Sequence, residues 1–232
     1  MDISAREQMV TVDKSLIEHG EIEVIGRLVQ ASNASLFCKL TLENKECHAI
    51  YKPIAGERPL WDFPEGNLAS REVATFKVSE ALELDCVPLT ILREGPFGVG
   101  SVQHWIDDVE EVGERYSEQS DGLRKIALLD AVVNNTDRKI GHLLYKEGKI
   151  YGCDHGVTFH EDYKLRTVIW QFAGLPFKAE EKVKLKNLNC DLSEYLSDIE
   201  IEALKQRVAN LLQEGSFPMP PTDWPAIPWP PV

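Results

Sequence analysis

Positive charge is in short supply in this chain. There are 25 Lys and Arg against 38 Asp and Glu, giving a formal net charge of −13 and a pI near 4.9. That balance argues against a nucleic-acid surface and against electrostatic docking on anionic lipid. Cysteine is sparse as well: five residues, at 38, 47, 86, 153 and 190, with no Cys-x-x-Cys pair. An odd, scattered set argues against a disulfide framework and a structural zinc site, and points to a reducing, cytoplasmic compartment. No apolar run approaches the ~18 residues of a membrane-spanning helix, so no stable membrane insertion is expected. Residues 1–20 lack the apolar centre of a signal peptide. There is no internal repeat, no HExxH, and no glycine-rich phosphate loop of the Walker or protein-kinase type.

What is present suffices for a folded core. The chain has 232 residues, of which 43% are apolar, enough for one bilobed domain. A short helix ends at Gly20. Strand-like runs follow at Ile22–Gln30, Ser35–Leu42 and Cys47–Lys52, the last two joined by a turn at Glu43–Glu46. A loop over Pro53–Gly66 leads into a helix at Leu68–Leu84, then strands at Val87–Leu92 and Val99–Ile106. The polar stretch Asp107–Gly122 marks a boundary. Beyond it come a buried helix at Leu123–Val133, a charged helix near Ala179–Lys186, and a helix opened by the capping box Ser197–Glu200 and stopped by Gly215. Seven of the 13 prolines fall in Pro218–Pro231, which reads as extended chain with Trp224 and Trp229 packed on the body. The expected fold class is α+β and two-lobed. Residues 1–106 form a β-rich lobe, 107–217 a mainly helical lobe, and 218–232 a proline-rich tail.

The most informative pair is Asp137 and Asp154. Asp137 lies in Asn-Asn-Thr-Asp-Arg after the apolar run Ile126–Val133; Asp154 lies in Cys-Asp-His-Gly. Between them, His142–Tyr145 and Ile150–Cys153 flank Lys-Glu-Gly-Lys, the pattern of a β-hairpin. A hairpin returns the chain to its start, so both carboxylates arrive at one end. Asp in a turn ordinarily caps backbone N–H groups; two carboxylates side by side suit divalent metal and phosphate chemistry. Lys52, at the end of Ala-Ile-Tyr-Lys, can reach a cleft as a point charge for phosphate oxygens. Glu72, a turn into the next helix, can pair with it; an ordinary surface pair fits the spacing equally well.

Several segments, in order, resemble the phosphatidylinositol 3-/4-kinase-related family, especially its type II 4-kinase branch and bacterial relatives, and more distantly HipA-like kinases. Gln30–Phe37 is similar to the family's serine-rich phosphate loop, and Tyr51-Lys52-Pro53 to its nucleotide-binding lysine motif. Glu72 and Leu82–Thr90 resemble its helix and following strand. Asn135-Thr136-Asp137-Arg138 resembles its catalytic loop, Asp154-His155-Gly156 its metal-binding motif, and Trp170 with Leu175-Pro176 a later segment. The coverage is about residues 22–180.

The resemblance implies a protein-kinase-like fold and an ATP-dependent phosphotransferase that moves the γ-phosphate to a hydroxyl acceptor, a protein or a small molecule. Asp137, Lys52 and Arg138 would be catalytic. Ser32, Asn33, Ser35, Lys52 and Glu72 would serve the nucleotide, and Gln103, His104, Trp105 and Ile106 would line the adenine hinge. Asp154 and His142 would hold Mg²⁺ or Mn²⁺. His142 stands where the family has asparagine, and imidazole suits Mn²⁺ better than Mg²⁺. The chain also lacks the long insertions with which lipid kinases meet membranes, so the expected acceptor is not a lipid. Two other readings stay open: a nucleotide-binding pseudokinase acting as a regulator, and a metal-dependent hydrolase using His142, Asp154, His155 and His160.

Overall fold

The computed structural model describes residues 13–28, 34–58, 60–63 and 67–231. The chain starts with helix α1 (Lys14–His19), capped by Asp13, whose carboxylate accepts from Ser15 N at 3.1 Å. Strands β1 (Glu21–Arg27), β2 (Leu36–Leu42) and β3 (Lys45–Pro53) follow. Helix α2 (Leu68–Ala81) comes next, then β4 (Thr90–Gly95) and β5 (Gly98–His104). These five strands form one antiparallel sheet in the order β1-β2-β3-β5-β4. The fold is thus mixed α/β around a five-stranded antiparallel sheet.

Side-chain alternation gives the sheet two faces. Ala49 and Tyr51 of β3 join Cys38, Leu40 and Val102 beneath Leu16 and Ile17 of α1, in a small core. The alternate residues, Ile50 and Lys52, therefore face the other way. Antiparallel register sets Gln103 opposite Ile50 and Ser101 opposite Lys52, so these two share the Lys52 face.

The second half holds β6 (Glu110–Glu111), α3 (Asp121–Val133), β7 (Leu143–Lys146), β8 (Lys149–Gly152), α4 (Ala179–Lys186) and α5 (Asp198–Glu214). The apolar run of α3 is sequestered nearly throughout; Leu123, Ile126, Leu129, Val132 and Val133 are fully buried. Leu→Ala at such a position typically costs ~2–5 kcal/mol. The main core joins α3 to Ala74 and Val78 of α2 and to Leu204 and Leu211 of α5. Ser197 and Glu200 form the expected capping box, and Gly215 closes α5 at φ 68°.

The hairpin between the two aspartates is present. Its turn is tighter than the sequence suggests: Glu147 and Gly148 alone connect the strands, at φ 49° and 83°. Positive φ at both positions is the type I′ geometry that matches strand twist, and Gly148 makes it accessible. The boundary stretch contributes β6, which pairs with β7 and extends the hairpin to three strands.

Several boundaries differ from expectation. β1 ends at Arg27, and Gln30 lies outside the described residues. β4 starts at Thr90, because Pro88 has no N–H to give a ladder. β5 ends at His104, so Trp105 and Ile106 lie past the strand. The tail does dock: Ala226 O accepts from Thr167 N at 3.0 Å and Trp170 Nε1 at 2.9 Å, and Pro231 O accepts from Ile140 N at 2.9 Å. Trp224 packs against the Arg166 guanidinium. Trp229 does not pack; it is 90% exposed, since backbone carbonyls, not its ring, anchor that end. Among the described residues, no helix is long and apolar enough to cross a membrane.

Candidate active site

Lys52 is the hub. Its Nζ donates to Glu72 Oε1 and, at 2.8 Å, to Asp154 Oδ1. The three groups come from β3, α2 and the segment after β8. Glu72 Oε2 accepts from His155 N at 2.9 Å, so the carboxylate ties the sheet's lysine to the backbone of the Asp-His-Gly segment. Residues 68–75 of α2 are buried on every side, which is why the helix shows a poorly defined apolar stripe in sequence. Burial pulls the Lys52 ammonium down, but the charges of Asp154 and Glu72 outweigh it, and its pKa is raised. The Lys52 charge in turn holds Asp154 well below the ordinary carboxylate range, against the effect of burial.

Asp154 has φ 57°, a left-handed conformation that Asp tolerates better than most residues. It marks a local constraint of the kind that gathers at working sites. Gly156 leaves room for α2: a Cβ there would lie 3.2 Å from Leu68 Cβ.

Asp137 is held by its neighbours. Asn135 Oδ1 accepts Asp137 N at 3.0 Å, and Asn135 Nδ2 donates to Asp130 Oδ1 at 3.0 Å. Thr136 donates to Val157 O through both its N–H and its hydroxyl. The loop's polar groups are thus satisfied internally, leaving the Asp137 carboxylate beside Lys139 Nζ, at 3.2 Å. Its pKa is raised, first by burial, with the charge of Asp154 adding to the effect and Lys139 opposing it.

A cavity of about 280 Å³ opens over these groups. Lys52, Glu72, Asp137, Asp154 and Ser35 line it, with Arg166 and the Leu60–Phe63 segment on its wall and rim. Ser32 and Asn33 of the expected phosphate loop lie outside the described residues.

Five expected site residues are placed elsewhere. Arg138 does not face the cavity. It is fully buried against Asp130, with Nη1 donating to Cys153 O at 2.9 Å and Nη2 to His155 Nε2 at 2.6 Å. All its donors face inward, so it positions the loop and has none left for a ligand. Gln103 sits on the Lys52 face, but its amide donates to Thr90 Oγ1 at 2.8 Å. The backbone N–H groups of His104 and Trp105 go to Leu89 O and His48 O, so neither is a free donor for a base. Gln103, His104, Trp105 and Ile106 are not among the residues lining the cavity.

His142 Nε2 is 3.4 Å from Asp154 Oδ2, and its Nδ1 is buried without a partner. Burial lowers its pKa to about 4, so the ring is neutral near pH 7 and able to offer a lone pair. Asp154 and His142 thus fit a divalent cation as a two-ligand edge. Among the described residues, no three His, Cys, Asp or Glu side chains are grouped to hold a metal alone. The hydrolase grouping is not assembled: His155 Nε2 faces Arg138, and His160 contacts Lys164 Nζ and Asp162 N.

The residues that the motifs did not single out are Asp130 and Arg166. Asp130 had a signal, a lone carboxylate inside the apolar run Ile126–Val133. Arg166 had none, because its role depends on contacts remote in sequence.

No protein-family model matches the chain. Among solved structures, the Helicobacter pylori proinflammatory kinase CtkA is similar at a TM-score of 0.48 and 11% identity, over 86% of this chain and 93% of that one. Among curated proteins, Protein Rv2133c of Mycobacterium tuberculosis is 36% identical, over 94% of this chain and 95% of its own. That likeness runs nearly end to end in both proteins, and the chain belongs to the family of Protein Rv2133c.

Proposed function

We propose that the protein is an ATP-dependent phosphotransferase of the phosphatidylinositol-kinase-related type, two-lobed and kinase-like, acting on a non-lipid hydroxyl. The observation that carries this is the convergence of Lys52, Glu72 and Asp154, from three separate elements, beside Asp137 in one cavity. Lys52 would neutralise phosphate oxygens, and Glu72 would keep it extended. Asp137, rigid and raised in pKa, would orient the acceptor hydroxyl and take its proton. Asp154 and His142 would hold Mg²⁺ or Mn²⁺, which needs only one or two protein ligands when phosphates complete its shell. A cation held there would neutralise charge on the bridging phosphates.

A second reading, a nucleotide-binding regulator without turnover, is favoured by one observation. Lys52 Nζ already sits on Asp154 Oδ1, so any metal must displace a strong internal partner. Calorimetric titration with ATP and each metal, followed by ATP-consumption assays, separates the two. Binding with turnover supports the enzyme, binding without turnover supports the regulator, and no binding with either metal overturns both.

A further inference from the structure

Of the two cations that line the cavity among the described residues, Lys52 is paired twice. Arg166 has no hydrogen-bond or ion-pair partner for its guanidinium among the described residues, and its Nε is buried and unpartnered. What holds it is structure. Its N–H donates to Asn135 O at 2.9 Å, and its carbonyl accepts from Arg138 N at 3.1 Å, so its backbone is bound to the two residues that flank Thr136 and Asp137. Its guanidinium lies 5.5 Å from the Trp224 ring centroid. By contrast, Lys139 has Asp137, Lys164 has Asp62, and Arg71 has Glu200. In a chain of net charge −13, carboxylates are plentiful; Arg166 feels the charge of Asp137, yet among the described residues no carboxylate forms an ion pair with it. A buried N–H without an acceptor is unfavourable, and a guanidinium fork matches a phosphate or carboxylate.

From this geometry we infer that Arg166 is the anion-binding residue of an acceptor subsite beside Asp137, and that the acceptor is a small hydroxyl compound bearing a phosphate or carboxylate group. The inference rests on the phosphotransferase reading for the word acceptor; the anion site itself does not. The same fork could instead grip the nucleotide's terminal phosphate, and the test separates these sources.

The experiment titrates inorganic phosphate, against chloride at matched ionic strength, into the full chain by calorimetry. It is run with and without a saturating non-hydrolysable ATP analogue and Mg²⁺, for wild type, Arg166→Gln and Arg166→Lys. The expected result is phosphate binding to the analogue-loaded wild type. Arg166→Gln should weaken it by about 10- to 100-fold, as loss of charge-assisted hydrogen bonds predicts. Arg166→Lys should be intermediate, and analogue affinity should not change. Phosphate binding that is absent, or equal in all three proteins, overturns the inference. So does a loss of analogue affinity in Arg166→Gln with no analogue-independent phosphate effect. If the wild type binds phosphate through Arg166 but no nucleotide, the phosphotransferase reading falls and the anion site stands; the reverse pattern overturns the anion site alone. Should Arg166→Gln not fold, Arg166→Lys decides by the same comparison.

Discussion

Arg138 lies fully buried against Asp130, with Nη2 at 2.8 Å from Oδ1. The pair joins the last turns of α3 to the loop that carries Asp137, and Arg138 also holds the carbonyl of Cys153, the residue before Asp154. Removing one partner of a buried pair leaves an uncompensated charge. Asp130→Ala should therefore lower unfolding stability by ~3–5 kcal/mol, while Asp130→Leu with Arg138→Met should recover part of the loss. Denaturant unfolding measures both. A single-mutant cost below about 1 kcal/mol, the value typical of exposed pairs, would contradict a keystone role.

Asp154→Ala should leave the apo protein folded and abolish most stabilisation by nucleotide and metal. A ligand at a hundred times its dissociation constant adds ~2.7 kcal/mol, or about 5–10 °C in Tm for a chain of this size. Differential scanning fluorimetry with ATP and Mg²⁺ or Mn²⁺ reads the shift. An undiminished shift in the variant would remove Asp154 from the site.

Asp137→Ala should reduce ATP consumption by ~10²–10⁴-fold, the usual contribution of a positioned base, with nucleotide affinity retained. Mn²⁺ should support more turnover than Mg²⁺ if His142 is a ligand, and His142→Asn should narrow that difference. Equal turnover by wild type and Asp137→Ala would favour the regulator.

Stability should fall on acidification through a window set by His142. Burial holds its pKa at about 4 in the fold, against ~6.5 in an unfolded chain. Between these values the unfolded state binds the extra proton, so stability rises with pH. The contribution is complete above pH ~6.5 and is lost as pH falls toward 4. Its size is on the order of 3 kcal/mol. His155, lowered chiefly by burial, acts in the same direction. Urea melts from pH 7 to 4 should show a shallower slope for His142→Asn; an unchanged slope would place the titration elsewhere.

Trp170→Phe removes the indole donor to Ala226 O. It should cost ~1 kcal/mol and raise amide exchange across residues 218–231 and at Thr167, whose N–H shares that carbonyl. Exchange mass spectrometry checks this; protection equal to wild type would show that the other anchors suffice.

Local signals carried much of the fold. The β2–β3 pair, the Glu147–Gly148 hairpin, the α5 capping box and the span of α4 follow from turn chemistry and spacing within a few residues. The ends of β4 and β5 did not, since strand ends depend on which neighbour offers hydrogen bonds. At the site, the Asp137–Asp154 adjacency was legible because a hairpin enforces it, and Lys52 because alternation puts it opposite buried Tyr51. Gln103 and Arg138 have the residue types for ligand contact, but Thr90 and Asp130 use their donors first, and neither partner is adjacent in sequence. Trp229 illustrates the same limit on a surface: composition favours burial, but the Pro231 carbonyl anchors its segment with the ring outside.

Glu72 gives one oxygen to Lys52 and the other to His155 N. A carboxylate is planar, so these two bonds share one rigid fork. Through it, the sheet and the helical half are indexed to each other by a single functional group. Shortening that residue to aspartate would withdraw the fork by ~1.5 Å, one C–C bond. It could then reach the lysine or the backbone amide, but not both. At this point the link between the two halves would then rest on the Lys52–Asp154 contact, with no loss of charge.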